Sequence, residues 1–259
     1  ELIKAEKPEI ILAYTIKPII WGGVVARSLK IKGFYAMVTG LGFAFQRNSG
    51  LKKLLNALVK VLYKSALKRA QGVIFQNRDN LEVFIQNQII DASLAKVVNG
   101  SGVDLNFYRK KNVPIEMNFL LIARLLKDKG IREYIKAAKQ VQQNYPQAKF
   151  SLLGPLDPSP DGISLAELEE LDSGKVINYL GETTDVRPYI EDCFVYVLPS
   201  YHEGMPRTVL EALAIGRPIL TTDVPGCRET VVNGANGFLV AKGDVKQLAD
   251  RMIWFIENQ

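Results

Sequence analysis

The sequence predicts an α/β protein built from two Rossmann-like units, each a parallel sheet with helices on both faces. Three observations carry this reading. Short apolar runs alternate along the chain with segments of helical period, the pattern of strand, helix and parallel strand. A length of 259 residues with 47% hydrophobic content can bury one large core or two medium ones. The charge balance also reverses part-way: residues 1–98 carry 15 Lys and Arg against 6 Asp and Glu, whereas residues 99–259 carry 18 against 21. The formal net charge of +6 conceals that change. The reversal falls at NGSGVDLNFYRKKNVP, residues 99–114, where glycines and charges interrupt the pattern. The units expected are therefore residues 1–103, the shorter one, and residues 104–259.

Strands are expected where the apolar runs are short, at residues 10–14, 34–38, 73–75, 119–123, 150–153, 176–180, 194–198, 219–222 and 238–240. Helices fall between them, at 23–29, 51–70, 78–87, 131–144, 165–171, 207–215 and 245–257. The 207–215 helix has the clearest ends. Pro206 suits a first helical turn, and Gly216 with Pro218 suits a stop. In the 51–70 helix, Leu51, Leu54, Leu55, Leu58, Val61 and Leu62 share one face, with Lys53, Lys60 and Lys64 elsewhere. That face suits either the core or an anionic lipid surface. There is no internal repeat and no low-complexity stretch.

Composition removes several function classes. No run of about 18 apolar residues could span a bilayer and no signal-peptide pattern opens the chain, so the default compartment is the cytoplasm. Cys193 and Cys227 lie far apart without a CxxC or Cys/His cluster, which suggests neither a disulfide framework nor a zinc site. Both read as buried small apolar residues. The basic first unit suits nucleic acid, an anionic substrate or an anionic membrane surface. No helix-turn-helix, RRM or aromatic-and-basic strand pattern supports nucleic acid.

In parallel sheets ligands bind outside the carboxyl ends of the strands, where helix N-termini present free N–H groups. Three loops of the second unit fall there. RLLKDKG, residues 124–130, sets Arg124 and Lys129 before a glycine and a helix, a way to hold a diphosphate that also suits a solvated charged turn. Gly154-Pro155 forms a close-approach turn. SYHEGMPRTVLEALAIGRP, residues 200–218, puts Glu203 in a loop, Glu211 about one turn into a helix, and His202, the only histidine, beside the first.

That last stretch, read with Pro199, resembles the E-x7-E signature of the family 4 retaining glycosyltransferases, whose fold is GT-B. Other segments support it in order: Asn99-Gly100 with Gly102-Val103-Asp104, Arg124 with Lys129-Gly130, Leu180-Gly181, Pro225-Gly226-x-x-Glu229-x-Val231, and Asn233-Gly234-x-Asn236-Gly237-Phe238-Leu239-Val240. Lys17-Pro18 and Thr39-Gly40-Leu41-Gly42 resemble the members that build bacterial surface polysaccharides. The resemblance implies two Rossmann-like domains with their sheets facing across a cleft, the N-terminal one incomplete. It implies transfer of a hexose or N-acetylhexosamine, with retention, from a UDP-sugar to a saccharide or polyprenyl-diphosphate-linked acceptor, without metal or other cofactor. A non-catalytic nucleotide-sugar-binding module is the alternative.

By the same resemblance Glu203 takes the transferred sugar, while Arg124 and Lys129 neutralise the leaving diphosphate, which is electrostatic stabilisation of the transition state. Glu211 takes the ribose hydroxyls, since an ionised carboxylate accepts two hydrogen bonds from a diol. Gly204 and Met205 offer backbone N–H groups, and Pro206, Thr208 and Gly154 complete the donor-binding set. The two glutamates are donor ligands and not a glycosidase pair, and His202 is a local packing or hydrogen-bonding residue. Thr39, Gly40, Phe43 and Arg47 lie on the acceptor side. Two departures stand out. Thr39 replaces the histidine that many members carry after this strand. The family's opening strand with its Gly-rich loop and its returning C-terminal helix find no match, which implies a fragment of a longer enzyme. The implied location is cytoplasmic, with peripheral attachment to the inner face of the plasma membrane.

Overall fold

The computed structural model describes residues 1–41, 45 and 50–259, the side chains of 50–52 excepted. The chain divides into two compact units, Glu1–Ser101 and Gly102–Gln259. The division falls inside the Asn-Gly-Ser-Gly turn at the head of the expected linker.

Unit 1 begins with a short helix, α1 (Leu2–Glu6), followed by β1 (Ile10–Tyr14), α2 (Ile16–Ser28), β2 (Gly33–Val38), α3 (Gly50–Leu67), β3 (Gly72–Phe75), α4 (Arg78–Gln86) and β4 (Ala95–Val97). The four strands are parallel in the order β1-β2-β3-β4. Each strand adds to the same edge, so right-handed crossovers bring α2, α3 and α4 to one face. There Phe34, Ala36, Val38, Val73 and Phe75 pack against Ile19, Ile20, Val59, Tyr63, Leu67 and Phe84. On the other face Ile10, Leu12 and Tyr14 of β1 are exposed. The helix expected at 23–29 begins seven residues earlier, at Ile16. Pro18 sits in its first turn, where the missing N–H has no intrahelical partner to lose. β4 escapes sequence reading because it is three residues long and mostly exposed.

The buried face of α3 is not the leucine face. Val59, Tyr63, Ala66 and Leu67 turn inward, and Gly23 of α2 lies so close that a Cβ on it would stand 2.6 Å from the Ala66 carbonyl oxygen. Leu54, Leu55, Leu58 and Val61 are exposed, at 69%, 40%, 53% and 65%. Leu62 packs against the core, so the core-facing reading of that stripe holds for it and fails for these four. The side chain of Leu51 lies outside the described residues.

Unit 2 runs β5 (Asn118–Ile122), α5 (Ile131–Asn144), β6 (Lys149–Leu153), α6 (Leu165–Leu171), β7 (Ile177–Tyr179), α7 (Arg187–Glu191), β8 (Val195–Leu198), α8 (Arg207–Ile215), β9 (Ile219–Thr222), β10 (Gly237–Val240) and α9 (Val245–Glu257). Its six parallel strands lie in the order β10-β9-β8-β5-β6-β7. Helices α5, α6 and α9 cover one face. Helices α7 and α8 pack on the other, and every residue of β5 is buried between the two layers. After β7 the chain returns to lay β8 beside β5, so the winding direction reverses between those two strands. That is the topological switch point, where such sheets hold their ligands.

Candidate functional site

The loops that leave β5 and β8 flank the switch point, and they are built against each other. After β5 a single tight turn, Lys127–Lys129, ends at Gly130 in the left-handed region, φ 72°, which starts α5. A Cβ at Gly130 would stand 2.0 Å from the Pro199 carbonyl oxygen, so only glycine allows this approach of the two main chains. The Asp128 carbonyl then accepts from the Tyr201 N–H at 2.8 Å and from Ser200 Oγ at 3.1 Å. A second clamp comes from the loop after β9: Gly226, φ 86°, would carry a Cβ 2.6 Å from the Glu203 carbonyl oxygen. The Glu203 N–H donates to the Pro225 carbonyl at 3.2 Å. The main chain at Glu203 is thus gripped from both sides.

The side chains follow from this frame. Lys129 Nζ donates to Glu203 Oε1 at 2.7 Å, both groups being mostly buried. Low exposure limits water's competition for the pair. His202 Nε2 lies 3.5 Å from Asp128 Oδ2, one residue along each loop. Beyond Gly204 and Met205, Pro206 precedes the first turn of α8, and no side chain caps that helix N-terminus. Its free N–H groups are therefore available to an anion. On α8 itself Glu211 is 5% exposed, and its Oε1 accepts from Tyr108 at 2.8 Å and from Arg207 Nε at 3.0 Å. The Tyr196 hydroxyl donates to the Ile122 carbonyl at 3.1 Å and is hydrogen-bonded to Thr208 Oγ1 at 2.6 Å. Burial pushes that phenol far up; the Thr208 bond opposes this, and the nearby Glu203 and Glu211 add to it.

The structure brings Lys129, Glu203, Gly204, Met205, Pro206, Thr208 and Glu211 to the ends of β5 and β8. Other candidates sit differently. Arg124 is largely exposed and pairs with Asp157 at 2.9 Å; hydrogen bonds from Ser159, and then Arg124, hold that carboxyl below its usual range. Gly154, at the end of β6, has the Ala123 carbonyl 1.9 Å from where a Cβ would be, and its N–H donates to the Gly181 carbonyl at 2.7 Å. Its tightness serves the meeting of three loops. Thr39 and Gly40 follow β2 in unit 1, while Phe43 and Arg47 lie outside the described residues.

Sequence reasoning missed Tyr108 and Asp157. The signal for Tyr108 was an aromatic pair, Phe107-Tyr108, in a linker rich in glycine, asparagine and charge. It also passed over Thr15, at the carboxyl end of β1, which holds φ 64°. Among the described residues no three His, Cys, Asp or Glu side chains converge as metal ligands would.

A parallel α/β unit with a cation–carboxylate pair and an uncapped helix end at its switch point presents groups of the kind that phosphorylated, hydroxyl-rich ligands engage. Comparison with known families narrows this class. The model for glycosyl transferases group 1 matches residues 116–258, more than half of the chain, and a glycosyl transferase 4-like model matches residues 1–77. The chain belongs to the group 1 glycosyltransferases. It is 32% identical over 254 residues to the N,N'-diacetylbacillosaminyl-diphospho-undecaprenol alpha-1,3-N-acetylgalactosaminyltransferase of Campylobacter jejuni, covering 92% of this chain and 65% of that protein. It is 27% identical over 273 residues to the UDP-Gal:alpha-D-GlcNAc-diphosphoundecaprenol alpha-1,3-galactosyltransferase of Escherichia coli, covering 98% and 67%. The chain thus spans about two thirds of the length of these relatives.

Solved structures share the fold. HepE of Anabaena, in complex with UDP and glucose, superposes with a TM-score of 0.82 at 22% identity, over 98% of this chain and 70% of its own. Sucrose-phosphate synthase of Thermosynechococcus elongatus gives 0.80 at 22%, over 99% and 66%. The GT-B expectation is borne out.

Proposed function

We propose that this chain carries the donor-binding and acceptor-side units of a retaining, metal-independent hexosyltransferase that builds a bacterial surface polysaccharide. It takes a hexose or N-acetylhexosamine from a UDP-sugar and passes it to a saccharide, or to one carried on a polyprenyl diphosphate. The observation that carries the reading is the Lys129–Glu203 pair at the switch point, beside the uncapped end of α8. The relative from Escherichia coli supports UDP and a lipid-diphosphate acceptor through its name, as HepE supports UDP through its complex.

In this mechanism Glu203 accepts hydrogen bonds from the sugar hydroxyls and Glu211 from the ribose diol. Lys129 and the α8 N–H groups face the diphosphate, where negative charge grows as its bond to the sugar's anomeric carbon breaks, and Arg124 joins them on exchanging Asp157 for the phosphate. The acceptor oxygen forms its bond to that carbon on the same face, and its proton passes to the departing diphosphate oxygen. The exposed stripe of α3, Leu54, Leu55, Leu58 and Val61, is margined by Lys53, Lys60 and Lys64. It supports attachment to an anionic membrane on its cytoplasmic face, where a lipid-linked acceptor is presented. Among the described residues no helix is long and apolar enough to cross a membrane.

Calorimetry of the full-length protein with UDP-, GDP- and ADP-sugars, with and without EDTA, tests the donor. UDP-sugars should bind tightest and EDTA should change nothing; a strict metal requirement would refute the mechanism. Glu211→Ala should weaken UDP binding about tenfold or more. Glu203→Ala should lower transfer by roughly a hundredfold while leaving UDP affinity largely intact. If neither change moves binding or turnover, the assignment is wrong. Donor binding with neither transfer nor donor hydrolysis would leave a non-catalytic binding module.

A further inference from the structure

The segment that opens unit 2 is strapped along α8. Asp104 starts a turn in which its carbonyl accepts from the Tyr108 N–H at 2.8 Å. Farther on, the Lys111 N–H donates to the Ile215 carbonyl at 2.9 Å. The buried Arg217 donates to the Lys111 and Asn112 carbonyls at 2.6 and 2.7 Å. Between these anchors Phe107 stays at the surface with the Arg187 guanidinium over its ring, 3.7 Å from the centroid. Tyr108 turns inward, is buried, and donates to Glu211.

We infer that Tyr108 is a positioning residue for nucleotide recognition, fixing the Glu211 carboxylate so that one oxygen is held back and the other is presented to the ribose diol. The inference rests on the ribose role proposed for Glu211. Oε1 takes both side-chain donors, Tyr108 and Arg207. Arg207 is mostly exposed and four residues away on the same helix, so its hold is weak in water. Tyr108 is inside, where a hydrogen bond to a charged group is stronger and its loss costlier. With Oε1 committed, rotation of the carboxylate would break the buried bond, and Oε2 is the oxygen left to the ligand. Burial first, and then the bond to Glu211, raises the Tyr108 phenol, so it remains a donor at neutral pH.

The test compares UDP with 2′,3′-dideoxy-UDP by calorimetry on the full-length protein. Tyr108→Phe, which keeps the ring, should shrink the preference for UDP about fivefold. 3-Fluorotyrosine at position 108, a stronger donor, should widen it. A purely structural role would lower stability and leave the preference where it was. Glu211→Ala separates the two layers of the argument. If it keeps the preference, the ribose reading itself fails. If it abolishes the preference while neither change at Tyr108 moves it, the positioning role alone is overturned.

Discussion

The two units are cut from one pattern of parallel strands and crossover helices, yet they bury it differently. Unit 2 covers its sheet on both faces and reverses direction at its centre, which creates a crevice at the strand ends. Among the described residues unit 1 adds strands in one direction and packs α2, α3 and α4 on one face. Where winding reverses, loops from adjacent strands must share space, and their residues become tightly specified.

The largest expected effect tests that specification. Gly130→Ala adds a Cβ 2.0 Å from the Pro199 carbonyl at a backbone with φ 72°, so unit 2 should lose on the order of 3–5 kcal/mol. Gly234→Ala is the control: φ is 81° but nothing lies within 4 Å of the new atom. Its cost should be about 1 kcal/mol, the left-handed penalty alone. The protein's two tryptophans, Trp21 and Trp254, report one unit each. Urea unfolding followed by Trp254 in a Trp21→Phe background should show the difference, while Trp21 fluorescence in the Gly130 variant should not move. Equal costs at the two glycines would mean that contact between the loops is unimportant.

The same contrast explains what the sequence disclosed. Local rules were enough for nine of the ten strands, and for α5, α6, α8 and α9, whose observed limits are those expected; the three-residue β4 and the five-residue α1 and α7 were too short to read. Glu203 and Glu211 stood out in the sequence because one nine-residue stretch, residues 203–211, carries both. Partners distant in sequence stayed hidden: Tyr108 meets Glu211 across 103 residues, and Asp157 meets Arg124 across 33. The α3 stripe shows the opposite limit. Its apolar periodicity was plain, but periodicity says that a face is apolar and not what it meets. The core took the smaller set of Val59, Tyr63 and Ala66 because Gly23 lets α2 come close only on that side.

That stripe supplies the second prediction. Leu54, Leu58 and Val61 changed together to Gln should leave the unfolding midpoint of unit 1 almost unchanged and lower binding to phosphatidylglycerol vesicles at least about tenfold. Val59→Ala, two residues from Val61 and fully inward, should do the reverse, costing roughly 2 kcal/mol of stability and sparing vesicle binding. Loss of stability in the triple variant would return the leucines to the core. Unchanged vesicle binding would remove the membrane surface as a partner of α3.

The smallest effect concerns the cysteines, and it decides whether the two units unfold as one. Cys193 and Cys227 both lie in unit 2, both are fully buried, and burial pushes each thiol up to about 12 from an ordinary value near 9. Only the thiolate reacts, so the native chain at pH 8 should give no colour with Ellman's reagent, and the unfolded chain two equivalents. The sign for stability follows from linkage. The folded state holds the proton more tightly than the unfolded one, so the contribution is whole below about pH 9 and is lost as the pH climbs toward about 12. Because unit 1 has no cysteine, pulse labelling through a urea titration reports unit 2 alone, while Trp21 fluorescence reports unit 1. Two separate midpoints are expected, with labelling at the higher urea concentration, since unit 2 buries its sheet between two helical layers. Coincident midpoints would show that the difference in burial between the units has no consequence for their stability.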